Sequence, residues 1–179
     1  MKEFCCIRTC LISKNKKYRW SLSFKISKSE KEIIFIGLNP SLSDSIYIDN
    51  TTKKIIKICK KYSYGKLKIL NLFALISKTP NKLLIHEKPV GYLNNKFINE
   101  SLKYWSENQN CHLWLGWGNK GIFFNRNIKV SKRIINFYSA KKEKFIDPLG
   151  PLFIEKTKKE NPMHPLYCPD NSVLKAEFL

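Results

Sequence analysis

The chain is poor in acidic residues, in arginine and in glycine, and it has no long apolar run. Against 33 lysines and arginines stand only 14 aspartates and glutamates, which leaves a net charge of +19. A surface that basic attracts polyanions such as nucleic acid. Only four of the cations are arginines, however (Arg8, Arg19, Arg126 and Arg133), and isoleucine and asparagine are abundant alongside lysine. That combination is the mark of AT-rich coding, so charge by itself does not assign a partner. With seven glycines in all, there is no glycine-rich dinucleotide loop, and no Gly-Lys-Ser/Thr follows a strand to make a P-loop. No stretch approaches the ~20 apolar residues needed to span a bilayer, so no membrane partner is predicted.

The six cysteines (Cys5, Cys6, Cys10, Cys59, Cys111 and Cys168) form no CxxC pair. No histidine stands at finger spacing from them, which argues against a zinc site. The spacing of the first three is too irregular for a familiar iron–sulfur pattern. No metal and no cofactor are therefore predicted. Residues 1–9 carry charges and lack the apolar run of a secretory leader. A cytoplasmic protein with reduced, buried thiols is the expectation.

A length of 179 residues and a hydrophobic fraction of 43% predict one globular domain over residues 1–179 with a sizeable core. Residues 4–13 and 18–26 read as an N-terminal hairpin around Lys14-Asn15-Lys16-Lys17, packed on a sheet edge within 1–28. The α/β core is placed at 29–170. Residues 32–38 form a continuous apolar run of strand length, as expected for a strand covered on both faces. Asp49 or Asn50 can cap a helix reaching about residue 62, with Ile55, Ile56, Ile58 and Cys59 at helical spacing and Gly65 ending it. A second strand follows at 66–73, then a loop at 78–92 long enough to carry function. A helix at 93–107 and a third strand at 111–115 come next. A helix at 121–139, a short fourth strand at 144–149, an irregular segment at 150–170 and a loose tail at 171–179 complete the chain. Alternation of this kind predicts an α/β fold: a three-layer α/β/α sandwich around a mainly four-stranded parallel sheet with right-handed crossovers.

Several of these strands end in residues suited to chemistry. In an open α/β sheet, ligands bind outside the carboxyl ends of the strands. The first strand ends Gly37-Leu38-Asn39-Pro40-Ser41. Asn39 either satisfies nearby backbone at an ordinary turn or presents its amide to hold a water or a substrate oxygen. Asn71 interrupts the apolar run Ile69-Leu70 and Leu72-Phe73, and its amide matches the paired donor and acceptor on a base edge. It could equally tie down a loop. Phe73, Tyr47, Trp114 and Trp117 can stack on a base or belong to the core. Gly116-Trp117-Gly118 leaves backbone room for a ligand. His164, between Pro162 and Pro165, can donate to a developing oxyanion. His86 and His112 have no obvious partner.

These segments resemble a bacterial and phage family called domain of unknown function 1643. The matching pieces are Leu38-Asn39-Pro40-Ser41 with Asp44 and Asp49, Asn71-Leu72-Phe73-Ala74 with Pro80 and Leu83, Pro89-Val90-Gly91, Trp117-Gly118, and Pro162-Met163-His164-Pro165-Leu166-Tyr167. At Asp49-Asn50-Thr51-Thr52 the chain departs from the family's usual Asp-Asp-Pro-Thr. The order of motifs is also remotely similar to the uracil-DNA glycosylase superfamily. That resemblance implies that Asn39 positions the attacking water, Asn71 reads the base edge, and His164 stabilises charge on the departing base. An asparagine cannot act as a general base. The residues after His164 also lack the Ser-Pro continuation of a DNA-penetrating loop. The expected function is a glycosylase-like hydrolase of an N-glycosidic bond, in DNA, RNA or a free nucleotide, with Asn39 and His164 catalytic. Gly37, Pro40, Ser41, Asp49, Asn71, Phe73, Trp117 and Gly118 are the expected substrate-binding residues. The alternatives are a non-catalytic module binding a nucleotide or modified base, and a polyanion-binding protein with a vestigial cleft.

Overall fold

Apolar runs bounded by turns build the centre of a seven-stranded sheet. A computed structural model describes residues 8–41 and 48–176, and the strand order is β1-β2-β4-β3-β5-β6-β7. The inner strands β4 (Lys66–Asn71), β3 (Glu32–Gly37), β5 (Cys111–Leu115) and β6 (Leu152–Phe153) run parallel. An antiparallel hairpin, β1 (Arg8–Ile12) and β2 (Arg19–Lys25), joins the β4 edge. At the opposite edge β7 (Lys175–Ala176) pairs antiparallel with β6.

Period-two alternation divides the strand residues between the two faces. Ile34, Ile36, Leu70, Leu113 and Leu115 pack with Ile98, Leu102 and Trp105 of α3 (Asn94–Glu107) and with Val130 and Ile134 of α4 (Arg126–Lys144). On the other face Ile33, Phe35, Leu67, Ile69 and Trp114 meet Ile55, Ile58 and Cys59 of α1 (Asn50–Lys61). Helices thus cover both sides of a mixed α/β sheet. Each such side chain contributes roughly 1.5–3 kcal/mol by leaving water. Among the described residues, no helix is long and apolar enough to cross a membrane.

Several expected elements move. The fourth parallel strand is not at 144–149 but at Leu152–Phe153. The preceding helix runs past residue 139 to Lys144 because Ala140-Lys141-Lys142-Glu143-Lys144 are good helix formers. Lys141, buried, anchors that extra turn: its ammonium donates to the carbonyls of Trp105, Asn108 and Cys111 at 2.7, 2.6 and 3.1 Å. Beyond it Asp147 has φ of +48° and Pro148 offers no N–H, so residues 144–149 make no strand and the ladder is joined only from Leu152. The expected helix start at 121 is instead a 3₁₀ stretch, Asn119–Asn125, broken where Phe124 and Asn125 enter the left-handed region.

The 78–92 loop contains a short helix, α2 (Lys82–Ile85), pinned by the fully buried Leu83. After α1 it is Ser63, with φ of +58°, that takes the left-handed position, not Gly65. A Cβ on Gly65 would lie 1.7 Å from the Ser29 carbonyl oxygen, so glycine there serves close packing of two backbones. The tail expected to be loose supplies β7. The start of the expected hairpin (residues 4–7), Cys5, Cys6, Asp44 and Tyr47 lie outside the described residues.

Candidate functional site

Because β3, β4 and β5 are parallel, their carboxyl ends share one rim, and a cavity of about 440 Å³ opens there on the α1 side. It is lined by residues from all three strand ends, the N-terminal turn of α1 and the segment around His164. Gly37 stands beside Asn71 in register. A Cβ on Gly37 would come within 3.0 Å of Asn71 Oδ1, so glycine lets that amide lie across the end of β3. The Phe35 ring forms part of the wall beneath both glycine positions. A Cβ on Gly116 would meet it at 2.6 Å, and one on Gly37 at 3.0 Å.

Asn71 is 4% exposed, and its Nδ2 has no acceptor among the described residues. A buried donor left unpaired costs about 1–3 kcal/mol. The backbone that carries it is held firmly. Asn94 Nδ2 donates to the carbonyls of Asn71 and Leu72 at 3.0 and 2.9 Å. The Arg126 guanidinium, itself buried, adds two bonds to Leu72 O at 3.1 and 2.9 Å and a third to Asn95 Oδ1 at 3.1 Å. Burial lowers the Arg126 pKa to about 10, with Arg133 adding to the effect.

Asn39 is fixed from the other side. Its Nδ2 donates to Ser77 O at 2.8 Å and to Pro40 O at 2.9 Å. Two carbonyl partners require the nitrogen at that position, so the amide orientation is determined and Oδ1 remains as the acceptor. The turn therefore does both things that the sequence left open: it satisfies backbone and leaves an acceptor on a cavity-lining residue.

His164 caps a 3₁₀ turn, Pro165–Tyr167, accepting from the Leu166 N–H through Nδ1 at 3.4 Å. A backbone N–H can only donate, so Nδ1 carries the lone pair and Nε2 the proton. Burial pulls the imidazole below its ordinary pKa, with Asp49 opposing more weakly. The ring is therefore a neutral Nε2–H donor at neutral pH. Gly118, with φ of +67°, places its own backbone against His164, and its N–H bonds Pro162 O at 2.8 Å. Asp49 caps α1 by accepting from Thr52 N at 2.7 Å and also accepts from the Ser41 hydroxyl.

Of the residues expected from sequence, Gly37, Asn39, Ser41, Asp49, Asn71, Trp117, Gly118 and His164 line this cavity. Pro40 and Phe73 do not. Pro40 is buried and contributes only its carbonyl, while Phe73 is fully buried in the α3/α4 core, edge-on to Phe124 at 6.2 Å. Trp114 is likewise core, packed on Phe35 at 4.8 Å. His112 has the partner that sequence did not reveal, the Tyr64 hydroxyl at 2.6 Å. Lining residues that sequence reasoning missed include Phe35, Arg19, Lys78, Lys120 and Tyr167. The two-residue period, which puts Phe35 on the Gly37 face, could have found the first. Arg19 reaches the rim only because β2 runs antiparallel to β4. Among the described residues no group of three His, Cys, Asp or Glu side chains converges to hold a metal, and Cys59, Cys111 and Cys168 are free thiols.

Fold and site together define a mixed α/β protein with a polar, amide-walled cavity at the carboxyl rim of its parallel strands. The chain belongs to the family described as Protein of unknown function (DUF1643), whose model matches residues 19–166. Neither a curated protein nor a solved structure matches it.

Proposed function

We propose that the cavity takes a nucleobase and that the protein hydrolyses an N-glycosidic bond to it, in nucleic acid or a nucleotide. The observation that carries this reading is the unpaired, buried Nδ2 of Asn71 on a wall shared with Asn39 and His164. An amide fixed by its strand and lacking an acceptor suits a planar ligand with a carbonyl edge. Asn39 Oδ1 accepts a hydrogen bond from the attacking water and so orients it without deprotonating it. As water bonds to the sugar C1′, the C1′–N bond breaks and its electron pair leaves with the base. The His164 Nε2–H donates to the negative charge that develops there, and the water's surplus proton passes to the departing base. The remote likeness to the uracil-DNA glycosylase superfamily in motif order and in an α/β fold supports the same assignment.

The test is release of free base from DNA containing uracil, hypoxanthine or alkylated bases, and from the corresponding nucleotides. Release by the native protein is expected, with His164→Ala slower by roughly 10²–10³-fold, the effect of losing one oxyanion donor. A depressed imidazole pKa predicts that the rate holds as pH falls through 6.5. No release from any substrate would refute the enzyme reading. Ligand-induced thermal stabilisation without turnover would then mark the non-catalytic alternative.

A further inference from the structure

A second cavity, of about 350 Å³, lies on the α3 face of the sheet at the amino ends of β3 and β4, so it shares neither face nor end with the rim cavity. Its walls carry two polar groups that the fold leaves unused. Lys68 stands in β4, opposite Ser23 of β2 on one side and Ile34 of β3 on the other. Cross-strand partners share a face, and Ile34 packs in the α3/α4 core, so Lys68 points to that side. It is not a surface lysine. It sits half-buried in an inner strand, where burial lowers the pKa of its ammonium against a weaker pull from Glu100 and then Cys111. Arg126 and Lys141, inward cations too, spend their protons on backbone carbonyls. Lys68 makes no hydrogen bond or ion pair with a described residue.

The second group is Ser101 of α3. It is 1% exposed and its Oγ has no partner, although a helical serine can hand its proton to the carbonyl four residues back. Glu32, the one described carboxylate on this wall, is already held by Lys66 at 2.6 Å and by the Tyr104 hydroxyl at 3.0 Å. We propose that this cavity binds a small carboxylic acid with an apolar body, its carboxylate taken by the Lys68 ammonium and the Ser101 hydroxyl. One inward cation and one hydroxyl match a monoanion with two oxygens, whereas a phosphate dianion calls for more donors. Phe24, Ile33, Ile34 and Leu67 supply the apolar part of the wall. The volume falls within the range of roughly 300–1,000 Å³ usual for small-molecule pockets. The site stands independently of the base-binding reading.

Calorimetric titration of the whole protein with acetate, hexanoate, hexanol and inorganic phosphate tests this. Hexanoate is expected to bind about tenfold tighter than acetate, because its added methylenes leave water. It should also bind about tenfold tighter than hexanol, which cannot pair with the ammonium. Amide resonances around Ser23, Lys68 and Ser101 should shift as hexanoate is added. Lys68→Met keeps the bulk of the side chain and should weaken hexanoate about tenfold, while the melting temperature holds or rises because an unpaired inward cation is gone. Ser101→Ala should weaken hexanoate as well, and with the resonance shifts it decides the matter should Lys68→Met fail to fold. Lys96→Gln, at an exposed position of α3, controls for the net charge of +19 and should change nothing. The proposal is overturned if hexanoate does not bind, if hexanol or phosphate binds as well, or if Lys96→Gln costs as much as Lys68→Met. Full binding by Lys68→Met, or shifts confined to Asn39, Asn71 and His164, would overturn it too.

Discussion

Gly116→Ala tests whether the strand-end glycines exist to accommodate the Phe35 ring. The φ of Gly116 is not positive, so alanine meets no backbone penalty, and a smaller unfolded ensemble should by itself stabilise the protein by about 0.4–1 kcal/mol. The new methyl, however, would lie 2.6 and 2.9 Å from two carbons of the Phe35 ring and 3.1 Å from Pro165 Cδ. Phe35 is 2% exposed and backed by Trp114, and Pro165 is buried too, so neither can retreat freely. Overpacking of this kind costs about 1–3 kcal/mol. The net expectation is a loss of about 1–2 kcal/mol, seen as a fall of roughly 2–8 °C in Tm for a chain of this length. Urea unfolding measures it, and a double-mutant cycle with Phe35→Leu assigns it. The glycine substitution should cost about 1 kcal/mol less once the ring is gone. Gly118→Ala is the contrast. Its Cβ meets His164 at an ordinary 3.5 Å, but φ of +67° imposes about 1–2 kcal/mol that Phe35→Leu will not relieve. A Gly116→Ala protein as stable as the native one, or an equal penalty in both backgrounds, would refute the packing argument.

Asn71→Leu should raise the unfolding free energy measured in urea by about 1 kcal/mol, since it removes a buried unpaired donor, while base binding measured by titration is lost. Asn94→Ala strips the Asn71 carbonyl of a bond made at 3.0 Å and should lower stability by about 1–3 kcal/mol in the same assay. Acid should destabilise the fold before the carboxylates titrate. Burial, then Lys31 and Lys141, lower the His112 pKa to about 4. Between pH 6.5 and about 4 the unfolded chain therefore binds a proton that the folded one refuses, and stability falls as pH falls through that window. His164 acts in the same direction. Urea midpoints at pH 7, 5.5 and 4.5 should show the fall, and His112→Gln should flatten it.

Much of the sheet was legible because apolar runs announce it. Residues 32–38 and 111–115 are nearly continuous hydrophobic stretches, and β3 and β5 occupy them almost to the residue. Asn71 stood out for the opposite reason, a polar side chain inside such a run. The fourth strand was misplaced because Phe145 and Ile146 look like strand material, yet Ile146 is 93% exposed. What decides the matter is a lysine. Lys141 extends the helix by reaching carbonyls thirty or more residues away in sequence, and no local pattern encodes such a contact. The same limit hid Arg19, whose place at the rim depends on which strand the hairpin joins. Phe73 was assigned to the site because it follows Asn71. Parity agrees with that assignment, but β4 ends at Asn71, so the two-residue period no longer applies at Phe73, which packs beside Leu72 in the α3/α4 core.

The division of labour around Asn71 bears on why a protein would keep an unpaired donor in its interior. A strand end free to relax could turn the amide toward solvent or toward a neighbouring carbonyl and escape the cost. Here relaxation is blocked: Asn94 and Arg126 place four hydrogen bonds on the two carbonyls at positions 71 and 72. Gly37 meanwhile leaves room across the end of β3 for the Asn71 amide, whose Oδ1 a Cβ there would approach to 3.0 Å. Arg126 does this as a buried cation that burial itself disfavours, an arrangement hard to justify on stability alone, because an apolar residue would fill the same volume at less cost. Rigidity purchased against stability is the usual mark of a recognition site, where orientation is fixed before the ligand arrives. It follows that Arg126→Met should loosen base binding more than it weakens the fold. An equal effect on both would mean that Arg126 serves the core and not the cavity.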